Sequence, residues 1–366
     1  MKFLNRLFQL TLSVSVLATA CAALPSVGAN KSEPVQPMQT SEIVAPVTTV
    51  NINDLSRKCL RPYTDDSLWN VPIDWAKAKF HPDTDKMIAA FFKESNWVGS
   101  DVSKYSPNIY FVDNATPLTP VKLQEGRSPR IVNADSIIEY GESGGTVLIP
   151  IPAYARPASG TDGELTLINI DTGEEWGLIK GRILDAESWL AGGVYKYSVY
   201  SSGIPPEGFA QRGAGLGSFA GIVRPCEVER GYIGHAVTIA YDYPCKPEVC
   251  AANGWPPFIP PFTKTDGIGA TQFDIPEGAR LVIKPEIAKD EILRACSGVQ
   301  GCIVWTLNMQ EYGGFIVDNS GHPKTYGEGN ATAHWDAAIW SEDMLRNIPP
   351  DWYAVIDWNY PAVSVP

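Results

Sequence analysis

The fold of this 366-residue chain is decided by the stretch Gly213-Ala-Gly-Leu-Gly-Ser-Phe-Ala-Gly-Ile-Val-Arg-Pro-Cys-Glu-Val-Glu-Arg-Gly-Tyr-Ile-Gly-His-Ala-Val-Thr-Ile-Ala-Tyr241. Its first nine residues include four glycines, which permit positive backbone dihedrals and let another backbone, ring or ligand approach closely. From His235 onward, small or polar residues alternate with Val237, Ile239 and Tyr241. Because this is the period of a half-buried strand, the stretch predicts tight packing followed by a strand with one apolar face.

Short strand-like segments separated by turn formers extend outward from this stretch in both directions. The predicted strands cover residues 109–112, 121–123, 146–151, 165–170, 176–180, 194–200, 280–284 and 315–318. Apolar residues at helical spacing predict short helices over 85–97 and 335–346, and one interrupted by glycines over 290–312. Serial short strands with few helices predict a mainly β fold, an antiparallel β-sandwich or jelly-roll-like domain with a few peripheral helices.

The amino terminus has the pattern of an export signal, since two basic residues precede a mostly apolar run over 7–23. Cleavage after Ala29 would make residues 1–29 a signal peptide, whereas lipoprotein processing would remove residues 1–20 and leave a lipid anchor at Cys21. Residues 30–57 lack helical periodicity and are predicted to be a disordered tether. Residues 58–366 are predicted to form a single β-rich domain. The protein is therefore expected to be extracellular, periplasmic or a membrane-anchored lipoprotein.

The charge of the chain limits the classes of partner. Its formal net charge is −12, and an acidic surface disfavours nucleic acid and anionic membranes because both are polyanions. The same charge argues against a highly charged polyuronate unless a local basic patch binds it. Neutral glycans fit the balance better.

The cysteines predict disulfides. Apart from Cys21 the chain has six, an even number in an exported sequence. Two pairs would close short loops, Cys245–Cys250 and Cys296–Cys302, and they leave Cys59–Cys226 to join the amino end to the central stretch. Six cysteines allow about fifteen pairings, so this connectivity is one of several.

Several segments, in the same order, resemble a family of exported bacterial and fungal proteins that are often joined to carbohydrate-binding modules. They extend over roughly residues 60–357, and the resemblance implies a glycan-rich setting. The family pattern has a histidine after Asp-Gly, where this chain has Glu164, which argues against a mechanism that needs a histidine there. The matching segments are Ser67-Leu-Trp-Asn-Val-Pro-Ile73, Ile149-Pro-Ile-Pro152, Asp162-Gly-Glu-Leu165 with Asp171-Thr-Gly173, Gly217-Ser-Phe-Ala-Gly-Ile-Val-Arg-Pro-Cys-Glu227, Gly234-His-Ala236 and Tyr312-Gly-Gly-Phe-Ile-Val-Asp-Asn319.

Four residues are the candidate catalytic groups: His235, Asp318, Glu227 and Asp162. Histidine titrates near neutrality and suits general acid–base chemistry, although a histidine bonded to a backbone carbonyl would be merely structural. Asp318 ends an apolar strand, where a carboxylate needs partners or solvent. Asp162 precedes a glycine, which is also common turn chemistry.

Arg224 and Glu227 bracket Pro225-Cys226, and a salt bridge is the better explanation if both are buried. If Glu227 instead faces a cleft beside Asp318, the two carboxylates could form a glycosidase pair, about 5–5.5 Å apart for retention or about 6.5–9.5 Å for inversion. A lyase would need a base such as His235 or Tyr241, and a cation such as Arg224 to neutralise a uronate.

The candidate substrate-binding residues are Arg224, Tyr241, Trp255, Trp176 and Tyr326. Aromatic faces stack on sugar rings, but aromatics in a β-sandwich more often lie in the core. Trp255, in a proline-rich loop, is the one we expect to be exposed.

No cofactor is predicted, because the sequence has no phosphate-binding loop. No metal is predicted either, since His322, His334 and nearby aspartates lack ligand-like spacing. The sequence favours an exported polysaccharide-active enzyme acting on a polysaccharide or cell-wall glycan, a glycoside hydrolase in preference to a polysaccharide lyase. The alternative is a non-catalytic glycan-binding or cell-envelope protein.

Overall fold

The computed structural model describes residues 59–359. The predicted signal peptide, the predicted lipid anchor at Cys21 and the predicted tether over 30–57 lie outside the described residues. The described residues belong to one compact unit. Their helices are short: α1 Thr84–Phe91, α2 Pro225–Glu229, α3 Pro247–Ala252, α4 Lys289–Ala295, α5 Gln300–Glu311 and α6 Asn330–Ala333, with a 3-10 turn over Pro350–Trp352.

Strands dominate the described chain, which confirms the predicted mainly β class. In chain order they are β1 Gly99–Asp101, β2 Asn108–Val112, β3 Leu118–Leu123, β4 Arg130–Val132, β5 Ile138–Tyr140, β6 Thr146–Pro150, β7 Leu165–Asn169, β8 Glu174–Ile179, β9 Arg182–Ile183, β10 Trp189–Ala191, β11 Gly193–Ser198, β12 Val237–Tyr241, β13 Arg280–Ile283, β14 Gly314–Asn319, β15 Lys324–Tyr326 and β16 Tyr353–Val355.

The strands form three mixed sheets in a sandwich-like arrangement. The first sheet has the order β1-β15-β12-β14-β13-β16, the second β2-β7-β8-β11-β4-β5, and the third β6-β3-β10-β9. Each contains at least one parallel pair, such as β12 with β14 and β2 with β7. The long connection from β12 to β14 makes their parallel pairing possible, because parallel strands need a crossover.

Two cores hold the sheets in place. The second and third sheets share a core in which Val121 and Leu123 of β3 meet Leu167 of β7 and Leu178 of β8. The first sheet packs against α1, α4 and α5, whose buried residues include Phe91, Ile292 and Trp305. The helices therefore cover one side of the first sheet, which agrees with the predicted peripheral helices.

Strand β12 lies inside the first sheet and is buried at every position. Val237, Ile239 and Tyr241 pack into the helix-covered core, as their alternation predicts. The small-residue face is buried as well, because the glycine-rich stretch packs on it. A Cβ on Gly221, which has a φ of 64°, would lie 2.7 Å from the Thr238 nitrogen. The second face of β12 is thus covered by a backbone that approaches it closely because Gly221 has no Cβ.

Helix boundaries differ most from the predictions. The expected helix over 290–312 divides into α4 and α5, where Ser297 and Gly298 adopt left-handed φ angles of 50° and 81°. The expected helix over 335–346 is wrong, because this segment consists of turns. Its apolar residues Trp340 and Leu345 are nevertheless buried, so their spacing reflected burial and not a helix.

All three expected disulfides are present: Cys59–Cys226, Cys245–Cys250 and Cys296–Cys302. Such bonds indicate an oxidising, exported environment. Among the described helices, none is long and apolar enough to cross a membrane.

Candidate active site

The four predicted catalytic residues fall into two clusters, each built around one buried arginine. The Arg224 centre comprises Arg224, Glu227 and His235, all of which are almost completely buried. The Arg212 centre comprises Arg212, Glu164, Asp318 and Tyr326, with Asp162 close enough to act on it electrostatically.

The Arg224 centre is built by the start of α2. Arg224 precedes Pro225, whose fixed φ suits the first helical position, and the Glu227 carboxylate accepts a hydrogen bond from the Arg224 backbone N–H at 2.9 Å. The Arg224 Nη2 donates to Glu227 Oε1 at 2.6 Å, and His235 Nε2 lies 3.1 Å from the same oxygen. Burial alone would raise the pKa of Glu227, but Arg224 and His235 outweigh it and lower that pKa to about 2.

His235 is held as a structural partner in this centre. Its Nδ1 lies 2.8 Å from the Ala236 carbonyl oxygen, while its Nε2 faces the Glu227 carboxylate. Because both ring nitrogens face oxygen acceptors and the residue is 1% exposed, neither nitrogen is available to a substrate.

In the Arg212 centre the charges are less well compensated. Arg212 Nη2 lies 3.1 Å from Glu164 Oε2, Nη1 lies 3.7 Å from Asp318 Oδ2, and the guanidinium lies 4.6 Å from the centroid of the Tyr326 ring. Burial outweighs the attraction of Arg212, so the pKa of Glu164 is raised to about 7 and that of Asp318 to about 6.

The two centres lie near opposite ends of the parallel pair β12 and β14. Ala240 of β12 is opposite Asp318, and His235 precedes Ala240 by five residues. At about 3.3 Å per residue, this places the His235 backbone roughly 15 Å from that position. Glu227, which binds His235, and Asp318 therefore belong to separate clusters, and the structure does not bring them together as a carboxylate pair.

A cleft of about 530 Å³ opens beside the Arg224 centre. The central stretch contributes Arg224, Pro225 and Cys226 to its lining, and aromatic residues of the second sheet face them. Tyr154, on the rim, is 70% exposed. Its ring centroid lies 5.8 Å from that of Tyr110, so the cleft offers aromatic surface beside buried charge.

Glu328 is the group in this cleft that sequence reasoning missed. Its carboxyl is almost buried, and desolvation raises its pKa to about 7, although Thr332 and Arg224 oppose the rise. A weak signal for Glu328 was present in the sequence, because this residue continues, beyond the end of β15, the period of two set by Lys324 and Tyr326. The backbone of Glu328 continues the pairing by donating to the Val223 carbonyl at 2.7 Å.

Two further polar residues line the cleft. Glu229, the last residue of α2, is exposed, so a second carboxylate shares the cleft with Glu328. His334 follows α6 with a left-handed φ of 51°. Such a conformation is uncommon outside glycine and is enriched at functional sites. A carboxyl that is protonated near neutral pH beside an exposed one can supply an acid and a base to the same ligand.

The other predicted binding residues lie away from this cleft. Tyr241 is fully buried, and its hydroxyl donates to the Ile275 carbonyl at 3.1 Å. Trp176 packs in the core between the second and third sheets. Trp255 is half-buried against His81 and Trp358, because its loop folds back onto the helix-covered core. Of the five predicted binding residues, Arg224 is the one in the cleft lining.

Within residues 59–359, no group of three or more histidine, cysteine, aspartate or glutamate side chains is arranged to hold a metal ion. No protein-family model, curated protein or solved structure matches the chain.

Proposed function

We propose that the chain is an exported glycan-cleaving enzyme, a glycoside hydrolase whose active site is the cleft beside Arg224. The observation that carries the proposal is Glu328, a nearly buried carboxyl with a pKa of about 7 that opens into an aromatic-lined cleft. A carboxyl that keeps its proton near neutral pH is the usual general acid of glycoside hydrolysis.

In this mechanism Glu328 donates its proton to the glycosidic oxygen as the bond from that oxygen to the anomeric carbon breaks. Glu229 supplies the second carboxylate, either by activating water or by attacking the anomeric carbon directly. In both cases an oxygen from water ends on the anomeric carbon, and a proton returns to the acid. Tyr154 offers an exposed ring on which a sugar stacks.

Arg224, Glu227 and His235 act in this proposal as positioning residues. Their hydrogen bonds anchor the first turn of α2, which carries Glu229 at its end. Arg224 also limits the pKa of Glu328, whereas the Glu227 charge raises it. The predicted catalytic roles of Glu227 and His235 therefore become supporting roles.

The contacts of Arg224 argue against the predicted lyase arrangement. A lyase needs a cation to neutralise the substrate carboxylate, and the Arg224 guanidinium already binds Glu227 and the Leu60 carbonyl. Arg156, the other arginine in the lining, is exposed and remains the cation for a uronate if elimination occurs. Burial raises the pKa of Tyr110, so less of its phenolate is present near neutral pH to act as a base.

The alternative is a non-catalytic glycan-binding or envelope protein, since the exposed Tyr154 would serve binding alone equally well. Residence outside the cell, in a periplasm or on a lipid anchor at Cys21 belongs to the same proposal, as does the resemblance to exported proteins of a glycan-rich setting.

An activity screen tests the proposal. The full chain is incubated with plant, algal and bacterial-wall polysaccharides, and both new reducing ends and the ultraviolet absorbance of unsaturated uronates are measured. Reducing ends without absorbance support hydrolysis, and both signals together would replace it with elimination. Binding without either signal would overturn the enzymatic proposal in favour of the binding protein.

A further inference from the structure

A second elongated depression lies next to the cleft. This groove, of about 470 Å³, is lined by the side chains of Trp75, Tyr232, Leu307, Asn308 and Glu311, among others. Trp75 is half-buried and Tyr232 is 44% exposed, so both rings reach the surface. It is separate from the charged centres described above.

The groove and the cleft flank one short segment of chain. Glu229 lines the cleft, and Gly231 and Tyr232 line the groove. The segment turns tightly between them, because the Gly231 N–H donates to the Val228 carbonyl and the Tyr232 N–H to the Glu227 carbonyl, each at 3.0 Å. Along this segment, Arg230 alone separates the lining of the cleft from that of the groove.

The two aromatic rings of the groove are held in place. The Trp75 Nε1 donates to the Gln310 carbonyl at 2.8 Å, and the Phe80 ring packs edge-on at 5.9 Å. The Tyr232 hydroxyl lies 2.6 Å from that of Tyr312. Rigid aromatic faces bind sugar rings at low entropic cost, because little side-chain freedom is lost.

Asn308 links the groove to the Arg224 centre. It is 3% exposed, and its Nδ2 donates to the His235 backbone carbonyl at 2.9 Å. Its Oδ1 is buried and accepts no hydrogen bond from any described residue. Because this oxygen has no exposed surface, Asn308 contributes to the groove by holding its lining against the backbone of His235.

We propose that this groove is a remote subsite that binds a neutral segment of the same polysaccharide chain that is cleaved at Glu328. The inference rests on the proposed hydrolase function and adds to it a substrate class, long neutral glycans. Among the residues described along the groove there is one carboxylate and no lysine or arginine, so a uronate would gain no counter-charge there.

The test compares long and short substrates. The full chain is first screened on arabinoxylan, mixed-linkage β-glucan, galactomannan and dextran as neutral polymers, and on alginate and polygalacturonate as charged ones. A hexasaccharide and a disaccharide of the polymer that is cleaved are then titrated calorimetrically into Glu328→Gln. The same titrations are made with Trp75→Ala, Trp75→Phe and Trp97→Ala added to that variant, Trp97 being a half-buried tryptophan away from the groove.

We expect Trp75→Ala to weaken hexasaccharide binding about tenfold and disaccharide binding less than twofold, because only the longer ligand reaches the ring. Trp75→Phe should retain most of the affinity, and Trp97→Ala should behave as the parent. If Trp75→Ala leaves the affinity unchanged, or lowers it equally for both ligands, while the wild type still cleaves the polymer, the subsite proposal is overturned and the hydrolase proposal is not. Cleavage of charged polymers only would overturn the neutral specificity. If no polymer is cleaved, the proposed function fails and the inference fails with it.

Discussion

Two buried arginines organise the interior, and they hold their carboxylates in opposite states. At Arg224, short hydrogen bonds lower the pKa of Glu227 to about 2. At Arg212, longer contacts leave burial dominant, and the pKa of Glu164 rises to about 7. Each centre pairs an arginine with a glutamate, but His235 also lowers the pKa of Glu227, whereas neighbouring aspartates raise that of Glu164. Contact distance, hydrogen bonding and the neighbouring charges together decide which charge state is stable.

The two centres also differ in their relation to the cleft. The Arg224 centre holds the first turn of α2 in place, and the cleft beside it contains a proton donor, Glu328. The Arg212 centre contains two carboxyls with raised pKa values, Glu164 and Asp318, and neither of them lines the cleft. We take a raised pKa as a sign of function only for Glu328, which does line the cleft.

The largest expected effect concerns the acid. Glu328→Gln should lower kcat/KM on the cleaved polysaccharide by about 100- to 10,000-fold, because the amide cannot donate the required proton. The matched control is Glu164→Gln, which changes an equally buried carboxyl of the same raised pKa in the other centre and should retain activity. Activity is measured as the release of reducing ends. Comparable losses of kcat/KM in both variants would contradict the assignment of the catalytic acid to Glu328.

Next in size is the stability of the two ion pairs. Arg224→Met should lower the free energy of unfolding by about 3–5 kcal/mol, since the buried Glu227 loses its closest cation and keeps only His235 and the more distant Arg230. Arg212→Met at about pH 5 should cost less than half as much, because Glu164 and Asp318 are largely protonated there and need no counter-charge. Urea denaturation measures both, and equal costs would contradict the comparison.

The pH dependence of stability should differ in sign between the centres. Folding raises the pKa of Glu164 from 4.5 to about 7, so the folded protein binds the proton more tightly and loses stability as pH rises through that window, by about 3 kcal/mol. Folding lowers the pKa of Glu227 to about 2, so its contribution is present above pH 4.5 and is lost as pH falls toward 2.

These signs are tested by urea denaturation over a range of pH. Glu164→Gln should flatten the decline above pH 4.5, and Glu227→Gln should flatten the decline below it. A wild-type profile that rises from pH 4.5 to 7 would contradict the assignment for Glu164.

The smallest effect concerns strain beside the cleft. His334→Gly should raise the free energy of unfolding by up to about 1 kcal/mol, since glycine accepts the left-handed φ of 51° more readily. If His334 contacts the substrate, kcat/KM should fall about tenfold in the same variant. Ser297→Gly, at a left-handed φ of 50° between α4 and α5, is the control. Ser297→Gly should gain as much stability as His334→Gly and keep full activity. An equal loss of kcat/KM in Ser297→Gly would show that the strain at His334 has no part in function.

Local signals in the sequence predicted much of the fold. The alternation before Tyr241 predicted β12, and strand segments such as 109–112 and 165–170 lie within one residue of β2 and β7. The three disulfide pairs that the short loops suggested, one of about fifteen possible sets, are confirmed. The helix over 335–346 failed because residues buried in turns mimic helical spacing when each packs onto the core separately.

The candidate site was less accessible to sequence reasoning. The central stretch contributed Arg224 to the cleft, but Glu328, whose backbone pairs with the neighbouring Val223, belongs to a segment about 100 residues later. Arg212 went unnoticed because nothing in its neighbourhood along the chain marks it as buried, and its partners Glu164 and Asp318 come from two different sheets.

The sequence by itself determined the mainly β class and the tight packing at the glycine-rich stretch, because these depend on backbone permissiveness and on spacing along the chain. It favoured the disulfide pairing that is present, without excluding others. Only the tertiary structure decided which carboxyls are ionised and which of them reaches a cleft. Glu227, Glu164 and Glu328 are chemically identical, and their pKa values diverge because burial and partner distance arise from contacts between segments far apart in the chain.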